Sequence, residues 1–202
     1  MVSVEQQRQV WHPATIRGSR VLLRHHHPDD LADVRRWYRD PELGRLTRYS
    51  QRPMSVEEID RFFHGRLLSP EQVAYAIVIN QSGRLIGSTT FSNLDADNGS
   101  TLFHISLGEA DTWGAGYGTE ATELMLWLAF ERIGLHRVAL SVFGFNSRAI
   151  RSYEKAGFTL EGRHREAIVR DGGRWDELTM GILASEWRLR QQVHAKASGN
   201  GA

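Results

Sequence analysis

The chain has 202 residues, 25 of them basic and 24 acidic, which gives a formal net charge of +1. This length suffices for one domain with a sizeable core, and the balanced charge argues against a nucleic-acid partner, which needs a dense basic face. The sequence contains no cysteine, which excludes disulfides, thiolate metal ligands and a cysteine nucleophile.

No apolar run reaches the roughly 18 residues of a membrane span, and the first dozen residues lack the apolar stretch of a secretion signal. We therefore expect a cytoplasmic protein without a membrane partner. One domain is predicted over residues 13–193, with flexible termini at 1–12 and 194–202.

The first third of the chain predicts one strand and two helices. Residues 20–24 form a short apolar run typical of a strand. A helical pattern of apolar residues opens at Asp29 and ends before Pro41. Ser55, with Glu58 three residues later, forms a capping box that predicts the start of a second helix.

Three strands joined by hairpins are predicted next. Residues 73–79 and 84–91 are predicted as strands and flank a turn signal at 80–83. A second turn at 97–99 leads into a third strand at 101–107. Because consecutive strands joined by tight turns pair antiparallel, this part of the sheet is expected to be antiparallel.

The second half of the chain alternates helices and strands. The predicted elements are a glycine-rich loop at 113–118, a helix ended by Gly134, a strand at 137–142, a helix from Asn146 to Gly157, two strands flanking 171–173 and a terminal helix from Ser185. The full order, β-α-α-β-β-β-α-β-α-β-β, predicts an α/β (α+β) domain. Its sheet should be mixed, mostly antiparallel and of about seven strands, with flanking helices.

The loop Gly114-Ala115-Gly116-Tyr117-Gly118 lies between a predicted strand and a predicted helix. Closely spaced glycines allow successive amides to point into one concavity at a helix N-terminus, which is typical of phosphate binding; a turn without a ligand is the alternative. Thr119 follows Gly118, so the lysine of a Walker loop is missing. A dinucleotide fingerprint belongs in a β-α-β unit, whereas this loop follows hairpin strands.

A second motif covers residues 146–158, with the sequence NSRAIRSYEKAGF. Read alone, it is an N-capped helix with Tyr153 as a core aromatic. Together, WGAGYGTEA and N-x-x-A-x-x-x-Y-E-K-x-G-F resemble the GNAT superfamily of N-acetyltransferases over residues 18–190. The segments LIGSTTFSNLD, FHISLGE and GFTLEGRHREAIVRDGGRWDELTMGIL are similar to one branch, which contains the Rim-type ribosomal-protein N-terminal acetyltransferases and the spermidine acetyltransferases.

The resemblance implies that acetyl-CoA is the donor. Backbone amides of the glycine loop would hold the pyrophosphate, and the end of the third hairpin strand would pair with the pantetheine arm. The residues that this implies around the donor are Ser106, Leu107, Gly108, Trp113, Gly114, Ala115, Gly116, Tyr117, Gly118, Thr119, Asn146 and Tyr153. Trp113 replaces the Gln or Arg usual at its position, although the Rim-type branch uses Trp similarly.

The resemblance also implies catalytic roles. Tyr153 matches the general acid that assists the departing thiolate, and the amide near Leu107 would face the thioester oxygen. The usual general base, a Glu, is replaced by Leu102. His104 and Glu109 are the alternative bases, and a chain of water molecules is a third possibility.

No metal is expected. His25, His26 and His27 are adjacent, so their side chains point apart and do not share one ion.

The expected function is transfer of an acetyl group from acetyl-CoA to a primary amine by direct attack, with a protein or peptide N-terminal amine as the favoured acceptor. The alternatives are a polyamine, an antibiotic or amino-sugar amine, and a non-catalytic acyl-CoA-binding module. A polyamine would need an acidic pocket, which Asp40, Glu42, Glu57 and Glu58 could supply. A homodimer is common in this branch.

Overall fold

One sheet of eight strands forms the frame of the protein within the computed structural model, which describes the backbone of residues 13–199 and the side chains of residues 13–193. The strands are β1 (Thr15–Arg17), β2 (Val21–Arg24), β3 (Ala74–Ile79), β4 (Leu85–Asp95), β5 (Ser100–Leu107), β6 (Arg137–Phe143), β7 (Thr159–Arg170) and β8 (Gly173–Leu183). Their spatial order is β1-β2-β3-β4-β5-β6-β8-β7. Every neighbouring pair is antiparallel except β5 and β6, which are parallel.

Helices cover both faces of this sheet. In the described part of the chain they are α1 (Leu31–Arg39), α2 (Pro41–Thr47), α3 (Val56–Phe62), α4 (Tyr117–Trp127), α5 (Ser147–Ala156) and α6 (Ala184–Gly199). Wider π-type turns extend α3 through Phe63–Leu67 and α4 through Leu128–Ile133. The predicted fold class, an α/β domain with a mixed sheet and flanking helices, is confirmed.

Two short elements were not predicted. Three residues of β1 are too few to show the alternation by which a strand is recognised. The pattern was expected to stop before Pro41, whereas α2 begins there: the Asp40 side chain accepts hydrogen bonds from the amides of Glu42 (2.8 Å) and Leu43 (3.4 Å). Proline at the first helical position suits such a start.

The predicted helix caps form as expected. Ser55 accepts a hydrogen bond from the Glu58 amide at 3.3 Å, and the Glu58 carboxylate accepts one from the Ser55 amide at 2.8 Å. Asn146 Oδ1 accepts from the Ala149 amide at 3.2 Å. Gly157 ends α5 at φ 105°, in the left-handed region that favours glycine.

The predicted flexible termini fall mainly outside the described residues. This holds for residues 1–12 and 200–202. The backbone of α6 continues to Gly199, into the segment expected to be flexible.

Apolar side chains fill both sides of the sheet. Because successive strand residues face opposite sides, Tyr75 of β3 belongs to the larger core under α4, α5 and α6, whereas Ala74 faces a smaller one. The smaller core is built largely by α1, α2 and α3 and contains Val34, Trp37, Leu43, Ile59, Phe63, Leu67 and Ala74. The sheet therefore separates two layers of helices.

The parallel strands β5 and β6 stay together over three residue pairs only. Their partners are Ser100 with Arg137, Thr101 with Val138 and Leu102 with Ala139. Beyond these pairs, residues 103–107 and 140–143 diverge, while β5 stays paired with β4 and β6 with β8. The divergence opens a cleft through the sheet that connects the two helical layers.

Candidate active site

A cavity of about 820 Å³ occupies this cleft. Its wall includes the glycine loop and α5 at one end, the diverging edges of β5 and β6 in the middle, and side chains of α1, α2 and α3 at the other end. The cavity thus joins two regions, one on each side of the sheet, through the gap between the strands.

The edge of β5 directs backbone groups into the cleft. Gly108 donates a backbone hydrogen bond to Ile86 of β4 at 2.9 Å. Since hydrogen-bonded and non-hydrogen-bonded pairs alternate in an antiparallel ladder, the N–H and C=O of Ile105 and Leu107 point away from β4 and into the cleft. The Leu107 carbonyl accepts from the Trp113 indole at 2.9 Å, and its amide N–H remains directed at the cavity.

Ser106 and Gly108, the predicted residues on either side of Leu107, direct their backbone groups toward β4 and not into the cleft. Ser106 alternates with Leu107, so its backbone pairs with Ser88 of β4 and only its side chain reaches the cavity wall. Gly108 packs under the ring of Trp37, where a Cβ would overlap the indole. Ile105 was not predicted as a site residue. It lies two residues before Leu107, so the alternation along a strand places its backbone groups on the same edge.

The glycine loop turns tightly into α4. Gly114 (φ 76°) and Gly116 (φ 89°) adopt left-handed conformations, and Gly116 immediately precedes the helix that begins at Tyr117. A Cβ on Gly114 would meet no atom within 4 Å, so the loop is open on that side. Amides of the first helical turn lack intrahelical partners, and such an end attracts anions.

Three cations on α5 face the same end of the cavity. Arg148, Arg151 and Lys155, spaced i, i+3 and i+7, all line its wall with Ser152. The Ser152 hydroxyl lies 2.9 Å from the Thr119 hydroxyl, which joins α5 to α4. Sequence reasoning missed these cations, although their spacing in the motif at 146–158 placed them on one helical face.

Trp113 is fixed between two partners. Its indole N–H bonds Leu107, and the Arg148 guanidinium lies 3.8 Å from the centre of its ring. Burial lowers the pKa of Arg148. Asn146, besides capping α5, donates to the Leu46 carbonyl at 3.4 Å and lines the cavity.

Tyr153 is buried on α5 and forms part of the cavity wall. Its ring packs edge-on against Phe103 and Phe158, with centroids 6.4 Å and 5.9 Å away. Burial raises its pKa to about 12, so the phenol is protonated at neutral pH. The hydroxyl has no hydrogen-bond partner among the described residues. Tyr153 therefore packs in the core and at the same time lines the cavity.

His104 lies on the face of β5 opposite Phe103 and is exposed to the cavity. Its Nε2 is 2.7 Å from the Ser92 hydroxyl. Burial, and then the nearby Arg66, lower its pKa, so the ring is neutral at pH 7. A neutral imidazole can accept a proton.

Glu109 lies outside the cavity wall. Partial burial alone would raise its pKa, but hydrogen bonds from Trp37 (2.6 Å), Arg36 and Arg84 outweigh that effect and lower it. A carboxylate held by two guanidinium groups is a poor proton acceptor.

The acidic residues considered for a polyamine pocket do not line the cavity. Asp40 caps α2, Glu42 lies 3.5 Å from Arg45, and Glu58 bonds Arg52 at 3.0 Å. Glu57 lies in the exposed first turn of α3. The four carboxylates therefore form no acidic pocket in the cavity.

The histidine run has separate partners for its side chains. His25 packs on Tyr75 at 5.3 Å, whereas buried His26 lies 3.1 Å from Asp30. Within residues 13–193, no group of three or more His, Cys, Asp or Glu side chains could hold a metal ion.

Among the described helices, none has the length and apolar character needed to cross a bilayer.

A glycine loop at a helix start, a strand edge that faces a cleft and a cavity that passes through the sheet are combined in this one site. The model of the acetyltransferase (GNAT) domain family matches residues 20–159. The chain therefore belongs to the GNAT family, whose members are N-acetyltransferases that use acetyl-CoA.

Relatives and solved structures agree with this assignment. The chain is 26% identical over 113 residues to the SPbeta prophage-derived uncharacterized N-acetyltransferase YokL of Bacillus subtilis (strain 168), a match that covers 56% of this chain and 63% of that protein. It is 22% identical over 176 residues to the uncharacterized N-acetyltransferase p20 of Bacillus licheniformis, covering 86% and 98%.

Two solved structures share the fold. The spermidine N-acetyltransferase from Vibrio cholerae, in complex with CoA and spermine, has a TM-score of 0.74 at 22% identity, covering 84% of this chain and 99% of that one. The GNAT-family acetyltransferase from Bacillus anthracis has a TM-score of 0.73 at 20% identity, covering 85% and 99%. At these identities the likeness concerns the fold alone.

Proposed function

We propose that this GNAT enzyme transfers the acetyl group of acetyl-CoA directly to a primary amine, with the N-terminal amine of a peptide or protein as the favoured acceptor. The observation that carries the proposal is the free edge of β5. It directs the Leu107 amide into the same cavity that Tyr153 and the glycine loop line.

Donor binding would use the loop end of the cavity. Amides of residues 114–119 would hold the pyrophosphate, and Arg148, Arg151 and Lys155 would add positive charge for the phosphate groups. The amide groups of the pantetheine arm would pair with Ile105 and Leu107, as an added strand pairs with a sheet edge. Asn146 lies beside this path.

The chemistry needs three groups around the thioester. The neutral amine attacks the carbonyl carbon, and the Leu107 N–H donates to the oxyanion that forms. The carbon–sulfur bond then breaks, and the Tyr153 hydroxyl donates a proton to the departing thiolate. His104 takes the proton that the amine loses, directly or through water.

The charge of the cavity bears on the acceptor. Its wall within the described residues carries five cationic side chains and no carboxylate; the cations are Arg48, Arg66, Arg148, Arg151 and Lys155. Three of these cations are assigned to the donor phosphates, so Arg48 and Arg66 are the cations that the acceptor would meet. They would repel a polyamine with several ammonium groups more strongly than a peptide N-terminus, which brings one. Nearby cations also favour the neutral, nucleophilic form of that amine. The cavity charge therefore supports a peptide acceptor over a polyamine.

An amine panel tests this function. The protein is incubated with acetyl-CoA and a short peptide with a free N-terminus, spermidine or an amino sugar, and acetylated products are identified by mass spectrometry. We expect transfer to the peptide, and none to the same peptide with a blocked N-terminus. Transfer to spermidine alone, or thioester hydrolysis without any acetylated amine, would contradict the proposal.

A further inference from the structure

Arg48 brings an unsatisfied guanidinium to the cavity. The residue follows α2 directly and lines the cavity wall. Its Nε and Nη1 atoms are buried, and neither has a hydrogen-bond partner among the described residues. Buried donors of a charged group are costly to leave unpaired, so such a side chain is suited to an anionic ligand.

Packing, rather than a carboxylate, holds this guanidinium in place. Gly44, inside α2, leaves the space for it, since a Cβ there would overlap the Arg48 guanidinium. Buried Arg170 donates from Nη2 to the Arg48 carbonyl at 2.6 Å, which fixes the backbone. Glycine inside a helix costs stability relative to alanine, so Gly44 serves the position of Arg48 at a cost to α2.

A second cation lies at the same end of the cavity. Arg66 is half-buried, lines the wall and has no ion-pair partner in the described part of the chain. Both arginines oppose the rise in the pKa of Tyr38 that burial causes, and Arg66 also lowers the pKa of His104. Arg48 and Arg66 thus flank one region, next to the residue assigned as proton acceptor.

Glu177, which contacts the residue that follows Arg48, is already engaged. Glu177 of β8 bonds the Tyr49 hydroxyl and lies 3.4 Å from His164 Nδ1. It does not line the cavity. The two arginines therefore have no described carboxylate to neutralise them.

We infer that Arg48, with Arg66, binds a carboxylate of the acceptor, so that the preferred acceptor is a peptide whose first residue is acidic. The inference rests on the proposed function and specifies its substrate. A guanidinium donates two parallel hydrogen bonds to a carboxylate, and a carboxylate near the reacting amine would reach Arg66 beside His104. A phosphate of the donor is a poorer match, because the three cations of α5 already lie at the loop end.

The test compares two amidated peptides, Asp-Ala-Gly-Ala and Asn-Ala-Gly-Ala, which differ only in the charge of the first side chain. We expect kcat/KM to be roughly 10- to 100-fold higher for the acidic peptide, as one charged hydrogen-bonded contact implies. Arg48→Met should abolish this preference, and Gly44→Ala should reduce it by displacing the guanidinium. Arg61→Met, at an exposed position of α3 outside the cavity, should leave it unchanged.

Binding supplies a readout that does not require turnover. Calorimetry of the N-acetylated forms of both peptides, with the protein loaded with coenzyme A, should show the same charge preference and the same loss in Arg48→Met. Equal binding and equal turnover of the two peptides would overturn the inference while leaving N-terminal acetylation intact. Faster transfer to free aspartate than to either peptide would keep the carboxylate contact and overturn the peptide acceptor.

Discussion

At the scale of single residues, the hydroxyl of Tyr153 separates a catalytic role from a packing role. Tyr153→Phe removes one oxygen and keeps the ring contacts with Phe103 and Phe158. If the hydroxyl assists thiolate departure, kcat and kcat/KM should fall together, on the order of 10²-fold or more. Coenzyme A affinity, measured by calorimetry, should be retained.

Tyr75→Phe is the matched control for this substitution. Tyr75 is also buried, but its hydroxyl donates to the Pro13 carbonyl at 2.9 Å, away from the cavity. Its loss should cost about 1 kcal/mol of stability and leave the rate unchanged. A Tyr153→Phe enzyme that works at the parent rate would reduce Tyr153 to a core aromatic.

His104 yields a prediction about pH. Its pKa lies below the ordinary value of 6.5 because of burial first and Arg66 second. A base must be deprotonated, so activity should be lost as pH falls through this lowered pKa. Arg66→Gln removes a cation and should raise the pKa of His104, which moves the acidic limb of the kcat profile to higher pH. The readout is kcat because kcat/KM also falls as the free acceptor amine becomes protonated. His104→Gln should remove the limb; a limb that stays in place in both variants assigns it to another group.

At the scale of elements, the loop before α4 is the donor site to test. Gly116→Val places a branched side chain at φ 89°, which should cost roughly 1–3 kcal/mol of stability and obstruct the approach of phosphates. Gly134→Val imposes similar strain at φ 82° with no neighbour within 4 Å and outside the cavity. Calorimetry should show coenzyme A affinity about tenfold or more weaker in the first variant and unchanged in the second.

The elements predictable from the sequence are those with local signals. The hairpin strands, the capping box at Ser55 and the glycine stop at Gly157 depend on neighbouring residues, and they form as predicted. β1 is missed because three residues carry no periodicity. The helix that begins at Pro41 has a local signal, because proline after Asp40 suits the first helical position as well as it ends the preceding helix.

The acceptor end of the cavity was beyond prediction for a physical reason. Arg48 and Arg66 come from the α1–α3 layer, and only tertiary packing brings them into the wall of the cavity that His104 also lines. No sequence spacing relates residues on α2 to a strand about 60 positions away. The cations of α5 differ, because helical spacing alone places them on one face of that helix, so they could have been predicted from the sequence.

At the scale of the whole molecule, a nearly neutral chain concentrates positive charge in one place. The formal net charge is +1, yet the cavity wall has five cations and no described carboxylate. Acidic residues elsewhere are paired, as Asp30 is with Arg24 and Asp60 with Arg35. The local field therefore comes from where the ion pairs are placed rather than from total charge.

Because the cavity joins both helical layers through the sheet, its occupation should stabilise the molecule as a unit. Coenzyme A at 100 times its Kd should add about 2.7 kcal/mol to the free energy of unfolding, provided that it binds only the folded state. For a chain of this size each kcal/mol raises Tm by roughly 2–4 °C, so a shift of about 5–10 °C is expected in a thermal melt. Gly116→Val should lose about half of that shift or more, because tenfold weaker binding at the same coenzyme A concentration leaves about 1.4 kcal/mol of stabilisation. Arg48→Met should keep it in full, since Arg48 is assigned to the acceptor. A shift that disappears in Arg48→Met would move this arginine to the donor site and remove it from acceptor recognition.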